Sequence, residues 1–450
     1  MDRRSFITKS VAGATGVYAG MTPFAEKALA RNMAVTVLNP KNRVPVSFII
    51  DDSTALVNMA YFGIPQFAEV FPDQYLQAWK KLPREIPDSF VREFGEWCRD
   101  HGVKGKYSMV PYPACTGWLH RFIPGWSKQE LKDSLSLVRD FMSVDWDIHP
   151  EMISHTRVIN LKTGLPFPDP TPEYMENWEW SQDKSADELT SYLAYALNIL
   201  KEAGFNCEGV TTPGGFGHRN MDNLASATLE ACREIYDTEI PHFFRDVRTG
   251  KDESVEPELF HVSGLDTGDP KCSVHVIGCT GDWFGGWDGL EPGNADLFIN
   301  PDLDGGRLVE VIEKGDPAIL VCHWPGIYYN GTQLGFNVFK TVVGRLHQKY
   351  DHLVWMKLSE IARYWACKKL TTMKLIGKTL DIQAPFSTPD FTIRINKPVR
   401  RAVFENDGKQ VVMEKINQGA SLSTGKFFIE EKASILCFDL PKGASRILIS

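Results

Sequence analysis

The sequence predicts an α/β architecture, an open doubly wound sheet or, as we prefer, a closed (β/α) barrel, followed by a small all-β sandwich. Apolar, β-branched runs alternate with amphipathic helical stretches over most of the chain. The first of these runs, Val44 to Ile50, stops at Asp51-Asp52-Ser53, as a buried parallel strand gives out onto a functional loop. After Trp365 the texture changes: from Leu370 to Ser450 short strands lie between turn signals, with no long helical pattern.

Each element has its own local reason. Pro45 sits near the start of the first strand, where a missing N–H is tolerated. Residues 87–101 predict a helix capped by Asp88 or Ser89 and ended by Gly102. Residues 104–111 predict the next strand. Ser127 is placed to cap a helix carrying Leu131, Leu135 and Val138, and Glu130 stands three residues on, as a capping box requires. Residues 152–159 predict a strand. Residues 185–203 predict an amphipathic helix closed by Gly204, followed by a strand near 207–211, a helix near 223–236 and a strand at 274–279. Residues 318–322 predict a further buried strand and 335–350 a further helix. In the C-terminal part, strands are expected at 391–395, 401–404, 410–413, 426–429 and 434–438, with Asn406-Asp407-Gly408 as a turn. The expected division is a signal segment at 1–30, a barrel at 31–369 and a β-sandwich at 370–450.

Composition bounds the function. Hydrophobic residues make up 43% and charged residues 24% of the 450, which excludes wholesale disorder and permits a large core. Lys and Arg number 49 against 57 Asp and Glu, a formal net charge of −8, and no basic run is present. Nucleic acid and anionic lipid are therefore not expected partners. The 9 cysteines are dispersed without a C-x-x-C pair, a poor disulfide framework and a poor zinc–thiolate site; most read as small buried hydrophobes. Arg3-Arg4-Ser5-Phe6-Ile7, then Lys9, an uncharged stretch from Ser10 to Ala25 and Ala28-Leu29-Ala30 read as a twin-arginine secretory signal. Its apolar part is shorter than the ~20 residues of a spanning helix. An exported protein, periplasmic or extracellular and without a membrane span once processed, is expected.

The adjacent aspartates are the sharpest chemical signal. Side by side, two carboxylates repel, and one pKa rises unless a cation or fixed donors compensate. At a strand end both can face one pocket, one toward a metal and the other acting as a base. A helix N-cap or an Asx turn is the plainer local alternative. Company is found in the stretch from Asp147 through His149 and Glu151 to His155, and in Cys322-His323-Trp324. A histidine and carboxylate set suits zinc or a related divalent metal. A single histidine on a strand is more often structural, but three in separate strand and loop segments suggest a shared site at the strand ends. Aromatic loops around Trp118, Trp283, Trp287, Trp324 and Tyr328 are candidate walls for a sugar, with Asp282 or Asp288 to accept hydroxyl hydrogen bonds; packed loops are the alternative. No G-x-S-x-G, H-E-x-x-H or Rossmann fingerprint occurs.

Three motifs in order resemble the polysaccharide deacetylases, a carbohydrate esterase family. Phe48-Ile49-Ile50-Asp51-Asp52-Ser53 looks like the family's first motif, Glu151-Met152-Ile153-Ser154-His155-Thr156 is similar to the second, and the apolar run from Asp316 to His323 looks like the last. The resemblance covers roughly residues 44–365 and implies a distorted barrel of about seven strands. It makes Asp51 the general base, Asp52 and His155 metal ligands, and His323 the general acid that protonates a leaving amine. Two places depart from the pattern. The second metal histidine would stand at Ile159, so His149 is taken as a substitute. The third motif's arginine is a threonine within Val210–Gly215, and Arg219 or His218 is taken to restore the charge.

The leading expectation is thus an exported, metal-dependent hydrolase that deacetylates an N- or O-acetylated glycan, cleaving a non-peptide carbon–nitrogen bond in the amide case, with a divalent metal, zinc by donor type, and a carbohydrate as its partner. A glycoside hydrolase pairing Asp51 or Asp52 with an acid such as Asp282 is the second reading, and a sugar-binding barrel without catalysis the third.

Overall fold

The computed structural model describes residues 35–450. The secretory reading of residues 1–30 lies outside the described residues. Among the described residues no helix is long and apolar enough to cross a membrane.

The chain is mixed α/β. Seven parallel strands build most of the larger part, β1 (Val44–Asp51), β2 (Gly105–Ser108), β3 (Trp146–His149), β4 (Gly209–Thr211), β5 (His242–Val247), β6 (Lys271–Gly278) and β7 (Ala318–His323), and a short eighth, Leu353–Trp355, runs parallel to the start of β1. In one sheet β7, β1, β2 and β3 lie side by side in that order. In another, β4, β5 and β6 are parallel neighbours, and Glu258–Ser263 adds an antiparallel edge to β6. β1 is buried along its whole length, which is why it reads as a near-continuous apolar run.

Two thin seams join these sheets. Glu151 and Thr211 form an isolated parallel bridge, and the Thr211 N–H donates to the Pro150 carbonyl at 3.0 Å. On the far side, the Cys279 N–H donates to the Ile319 carbonyl at 2.8 Å. The closed barrel expected from the sequence is therefore not one continuous hydrogen-bonded ladder. β3 ends at His149 and β4 has only three residues, so the chain leaves strand geometry where a full seam would need it.

Helices Asp88–Asp100, Lys128–Asp140, Ala186–Glu202, Met221–Tyr236 and Arg307–Lys314 fill connections between the strands. The box anticipated for Ser127 with Glu130 is present, and the structure adds a second, Ser185 with Glu188; each exchanges side-chain and backbone hydrogen bonds. The strand expected at 152–159 is instead an irregular loop that keeps only Ile159–Asn160 in a short hairpin.

The C-terminal strands form two antiparallel-rich sheets. One runs Val35–Val37, Thr388–Ile395, Ala433–Leu440, Lys426–Glu430 and Glu414–Lys415; the other Thr372–Ile376, Thr379–Ala384, Gly443–Ile449, Ala402–Asn406 and Lys409–Val412. Leu380, Ile382, Phe391, Ile393, Leu436, Phe438 and Ile447 are buried together in one cluster. That cluster also takes in Leu358, Ile361 and Trp365 of helix Leu358–Leu370 and Ile49, Ile319 and Val321 of the parallel strands. Val35–Val37, which precedes β1, pairs with Ile393–Ile395 of the sandwich. All nine cysteines are free, and eight of them are buried.

Candidate functional site

The site is built where β1, β2 and β7 end. Asp51 is the last residue of β1 and stands in register with His323, the last residue of β7. Asp52 then takes a left-handed conformation, φ 57°, which turns its side chain away from that of Asp51. The turn is tied down next door: Ser53 Oγ donates to the Ser108 carbonyl at 2.8 Å and Thr54 Oγ1 to the Val110 carbonyl at 3.2 Å.

The two aspartates divide. Asp51 meets Lys106 of β2, whose Nζ donates to Asp51 Oδ1 at 2.5 Å, to Ser108 Oγ at 2.7 Å and to the Ile50 carbonyl at 3.0 Å. Lys106 is 0% exposed, so all three of its ammonium protons are accounted for inside the protein. Burial pushes the Asp51 carboxyl up to about 6, against the lowering charge of Lys106. Asp52 goes the other way. Its Oδ1 lies 2.6 Å from His155 Nε2, and the same nitrogen is 3.3 Å from Glu151 Oε1, while Glu151 Oε2 accepts the Asp52 N–H at 2.8 Å.

One nitrogen carries at most one proton, yet two carboxylates crowd it, Asp52 Oδ1 at 2.6 Å and Glu151 Oε1 at 3.3 Å, so it cannot satisfy both. Burial disfavours the His155 imidazolium, but the charges of Asp52 and Glu151 win and pull the ring well above its usual range. Glu151 is opposed by burial and held down to about 2 by His155 and the Asp52 N–H. The geometry calls for positive charge between these three side chains. Asp52, Glu151 and His155, all buried and with ligand atoms within 4.8 Å of one another, are a donor set that fits a divalent ion such as zinc.

The loop that delivers them is strained and clamped. Met152 and His155 also take left-handed φ values, 51° and 64°, conformations that cost of order 1–3 kcal/mol each in residues other than glycine. Glu176 holds them: its carboxylate accepts the N–H groups of Ile153 (3.2 Å), Ser154 (3.1 Å) and His155 (2.5 Å), and the Tyr192 hydroxyl at 2.5 Å. Burial pushes Glu176 up to about 7, although all these donors favour its anion.

His323 completes the arrangement. Its Nδ1 is 2.8 Å from Asp282 Oδ2, and its side chain keeps 27% of its surface exposed. Partial burial opposes its charge, but Asp282 first, then Asp52 and Asp51, raise it to about 10.

Other expected residues go elsewhere. His149 is not in the Asp52 group: it ends β3 in register with Ser108 and sits against His242, Nε2 to Nε2 at 2.9 Å. Trp324 is 0% exposed, packed among Phe90, Phe94 and Tyr107 at the head of the short helix Trp324–Tyr328, so it cannot wall a sugar pocket. Arg219 is exposed and ion-paired with Glu179, and His218 is exposed beside it; neither supplies the missing charge, which Lys106 brings to Asp51 from β2. Asp282 turns its Oδ2 to His323, and its buried Oδ1 has no hydrogen-bond partner. Trp118 stacks on Tyr112 at 4.1 Å, Trp283 edges onto Phe298, Trp287 joins Phe67 and Tyr75, and Tyr328 packs on Phe90; all four keep part of their surface exposed.

Glu151, Lys106 and Glu176 were given no role by the sequence reading. A lysine inside an otherwise uncharged run, Gly105–Val110, is the one signal that would have found Lys106. Glu151 stood inside a quoted motif. Glu176 carries no local signal at all.

No family model matches the chain, and no curated protein does. Among solved structures it is similar to a probable polysaccharide deacetylase from Pseudomonas aeruginosa PAO1, with a TM-score of 0.39 and 11% identity over 72% of this chain and 91% of that one. It is similar to Puue allantoinase, with a TM-score of 0.39 and 12% identity over 73% and 92% of the two chains. A 4-alpha-glucanotransferase from Thermococcus litoralis follows at a TM-score of 0.35 and 14% identity, over 71% of this chain and 40% of that one. Likenesses this distant bear neither on the fold nor on the chemistry, which rest on the geometry above.

Proposed function

We propose that the protein is a metal-dependent hydrolase that removes acetyl groups from an acetylated glycan, exported after folding, with the seven parallel strands acting as a distorted barrel over residues 31–369 and the sandwich of 370–450 packed beneath it. The observation that carries this reading is the split of the two aspartates: Asp51 onto Lys106 and beside His323, Asp52 onto the same point as His155 and Glu151.

Each side chain has a task. A divalent ion held by Asp52, Glu151 and His155 would supply Lewis-acid polarisation of the acyl carbonyl. Asp51 takes the proton of the attacking water, and Lys106 fixes the carboxylate in the orientation that this requires. His323, kept protonated and oriented by Asp282, gives a proton to the leaving nitrogen or oxygen. Partly exposed rings of Trp118, Trp283, Trp287 and Tyr328 remain the candidates for sugar contact.

The competing readings are less well supported. For a glycosidase, Asp282 is a poor second acid, because its Oδ2 is engaged by His323. The lapsed-barrel reading stood on a missing histidine and a missing arginine; Glu151 and Lys106 stand in for the two.

The experiment is acetate release from acetylated chito-oligosaccharides by the wild type, by Asp51→Asn and by metal-stripped protein. Loss of a general base is expected to cost roughly 10²–10⁴-fold in kcat. Acetate release unchanged in Asp51→Asn would overturn the mechanism, and reducing sugar without acetate would move the protein to the glycoside hydrolases.

A further inference from the structure

A second cluster of ligating side chains lies apart from the Asp52 centre. His149 ends β3 and His242 begins β5, and both are 0% exposed. Their Nε2 atoms are 2.9 Å apart, and Asp147 Oδ2 lies 4.0 Å from His242 Nε2. The ligand atoms of all three fall within 4.8 Å of one another.

The surroundings prepare the rings as ligands. His149 Nδ1 is 3.3 Å from Thr211 Oγ1, which gives that nitrogen a partner and leaves Nε2 for coordination. His242 Nδ1 has no hydrogen-bond partner and can take up the ring proton that one of the two facing Nε2 atoms carries in the ion-free pair. The Asp147 carboxylate is fixed by the Ser359 N–H at 2.7 Å and hydroxyl at 2.9 Å. Position 209 keeps the approach clear: a Cβ on Gly209 would stand 2.8 Å from His242 Nε2 and 2.9 Å from His149 Nε2, against both ligand atoms at once.

We propose that Asp147, His149 and His242 form a second, structural metal site inside the parallel-strand body, for a first-row divalent ion of octahedral or square-planar preference such as nickel or copper. The separation of the two nitrogens selects the geometry. With metal–nitrogen bonds of about 2.0–2.1 Å, a 2.9 Å spacing gives an angle of about 90° at the ion, that of cis positions in tetragonal sites rather than the wider tetrahedral angle. A bare pair of neutral imidazoles sharing one hydrogen bond, with Asp147 held by Ser359 alone on its other side, is the alternative.

The test keeps the two centres apart. The double variant Asp52→Asn, His155→Gln dismantles the first; it is refolded with nickel(II), freed of loose ion on a chelating resin and analysed for metal. It is expected to retain about one equivalent per chain, the wild type about two, and a further His242→Gln substitution is expected to lower retention about tenfold. Copper(II) loaded in place of nickel is expected to show coupling to two imidazole nitrogens in electron paramagnetic resonance. A double variant with wild-type circular dichroism that keeps no ion overturns the proposal and identifies the pair as hydrogen-bonded, whether or not the triple variant folds. Absence of the Asp52-centre ion, by contrast, would show as no difference between the wild type and the double variant.

Discussion

At the scale of single residues, the buried Lys106–Asp51 pair makes the plainest demand. Removing one member of such a pair leaves an uncompensated charge in the interior, which typically costs about 3–5 kcal/mol, far more than any surface ion pair contributes. Lys106→Met is therefore expected to lower the unfolding free energy by about that amount at neutral pH, with Asp51→Asn in the same background recovering part of it. Denaturant unfolding of the two variants measures both; a neutral Lys106→Met would show that Asp51 does not depend on its partner. Asp282 makes a different demand. His323 sits at about 10, so it holds its proton through neutral pH and loses it only in the alkaline range. Without the Asp282 anion the imidazolium is less favoured, and the sign follows: in Asp282→Asn the alkaline fall of kcat/KM moves to lower pH. An unmoved limb would remove His323 from the role of acid. The Asp51-Asp52 pair was legible in the sequence because two like charges after an apolar strand require an explanation. The role of Lys106 was not, because this cation reaches Asp51 from a neighbouring strand and no spacing in the chain announces the pairing.

At the scale of elements, the helices and the loop between β3 and helix Ala186–Glu202 were legible to very different degrees. Capping boxes are local: Ser127 with Glu130 and Ser185 with Glu188 contain the whole reason for two helix starts within four residues. The loop was misread as a strand because Met152-Ile153-Ser154-His155-Thr156 has strand-like composition, while what shapes it is Glu176, some twenty residues further on. Three left-handed residues around one candidate ion site, Asp52, Met152 and His155, persist only where the surroundings over-determine them. Glu176→Gln keeps the size of the side chain but turns an amide N–H toward backbone donors that now share one oxygen. It is expected to weaken metal retention at the Asp52 centre by about 10–100-fold, as lost orienting partners commonly do, with the ligands themselves unchanged. Competition with a chelator measures it. Retention equal to the wild type would mean that the loop keeps its shape without the clamp.

At the scale of the whole molecule, the sequence showed a change of texture near residue 370 but not that the two parts share a core. Helix Leu358–Leu370 is the reason. Its Leu358, Ile361 and Trp365 lie in one buried cluster with Ile49, Ile319 and Val321 on one side and Leu380, Ile382 and Phe391 on the other. Tyr364 adds a polar stitch, donating to the Leu38 carbonyl at 2.8 Å and accepting the Thr392 N–H at 3.2 Å. Val35–Val37, drawn from the N-terminal side, pairs along Ile393–Ile395 and binds the first described strand to the last third of the chain. Burial of apolar surface at ~25 cal/mol per Å² makes such a shared core a large fraction of the stability of either part, so neither has an apolar surface it can expose alone. Urea unfolding followed by tryptophan fluorescence and by far-ultraviolet circular dichroism is therefore expected to give one coincident transition, and a chain ending at residue 370 is expected to aggregate rather than fold. Two separated transitions, or a soluble, folded chain lacking residues 371–450, would show instead that the sandwich is an independent appendage and that helix Leu358–Leu370 tolerates water on its outer face.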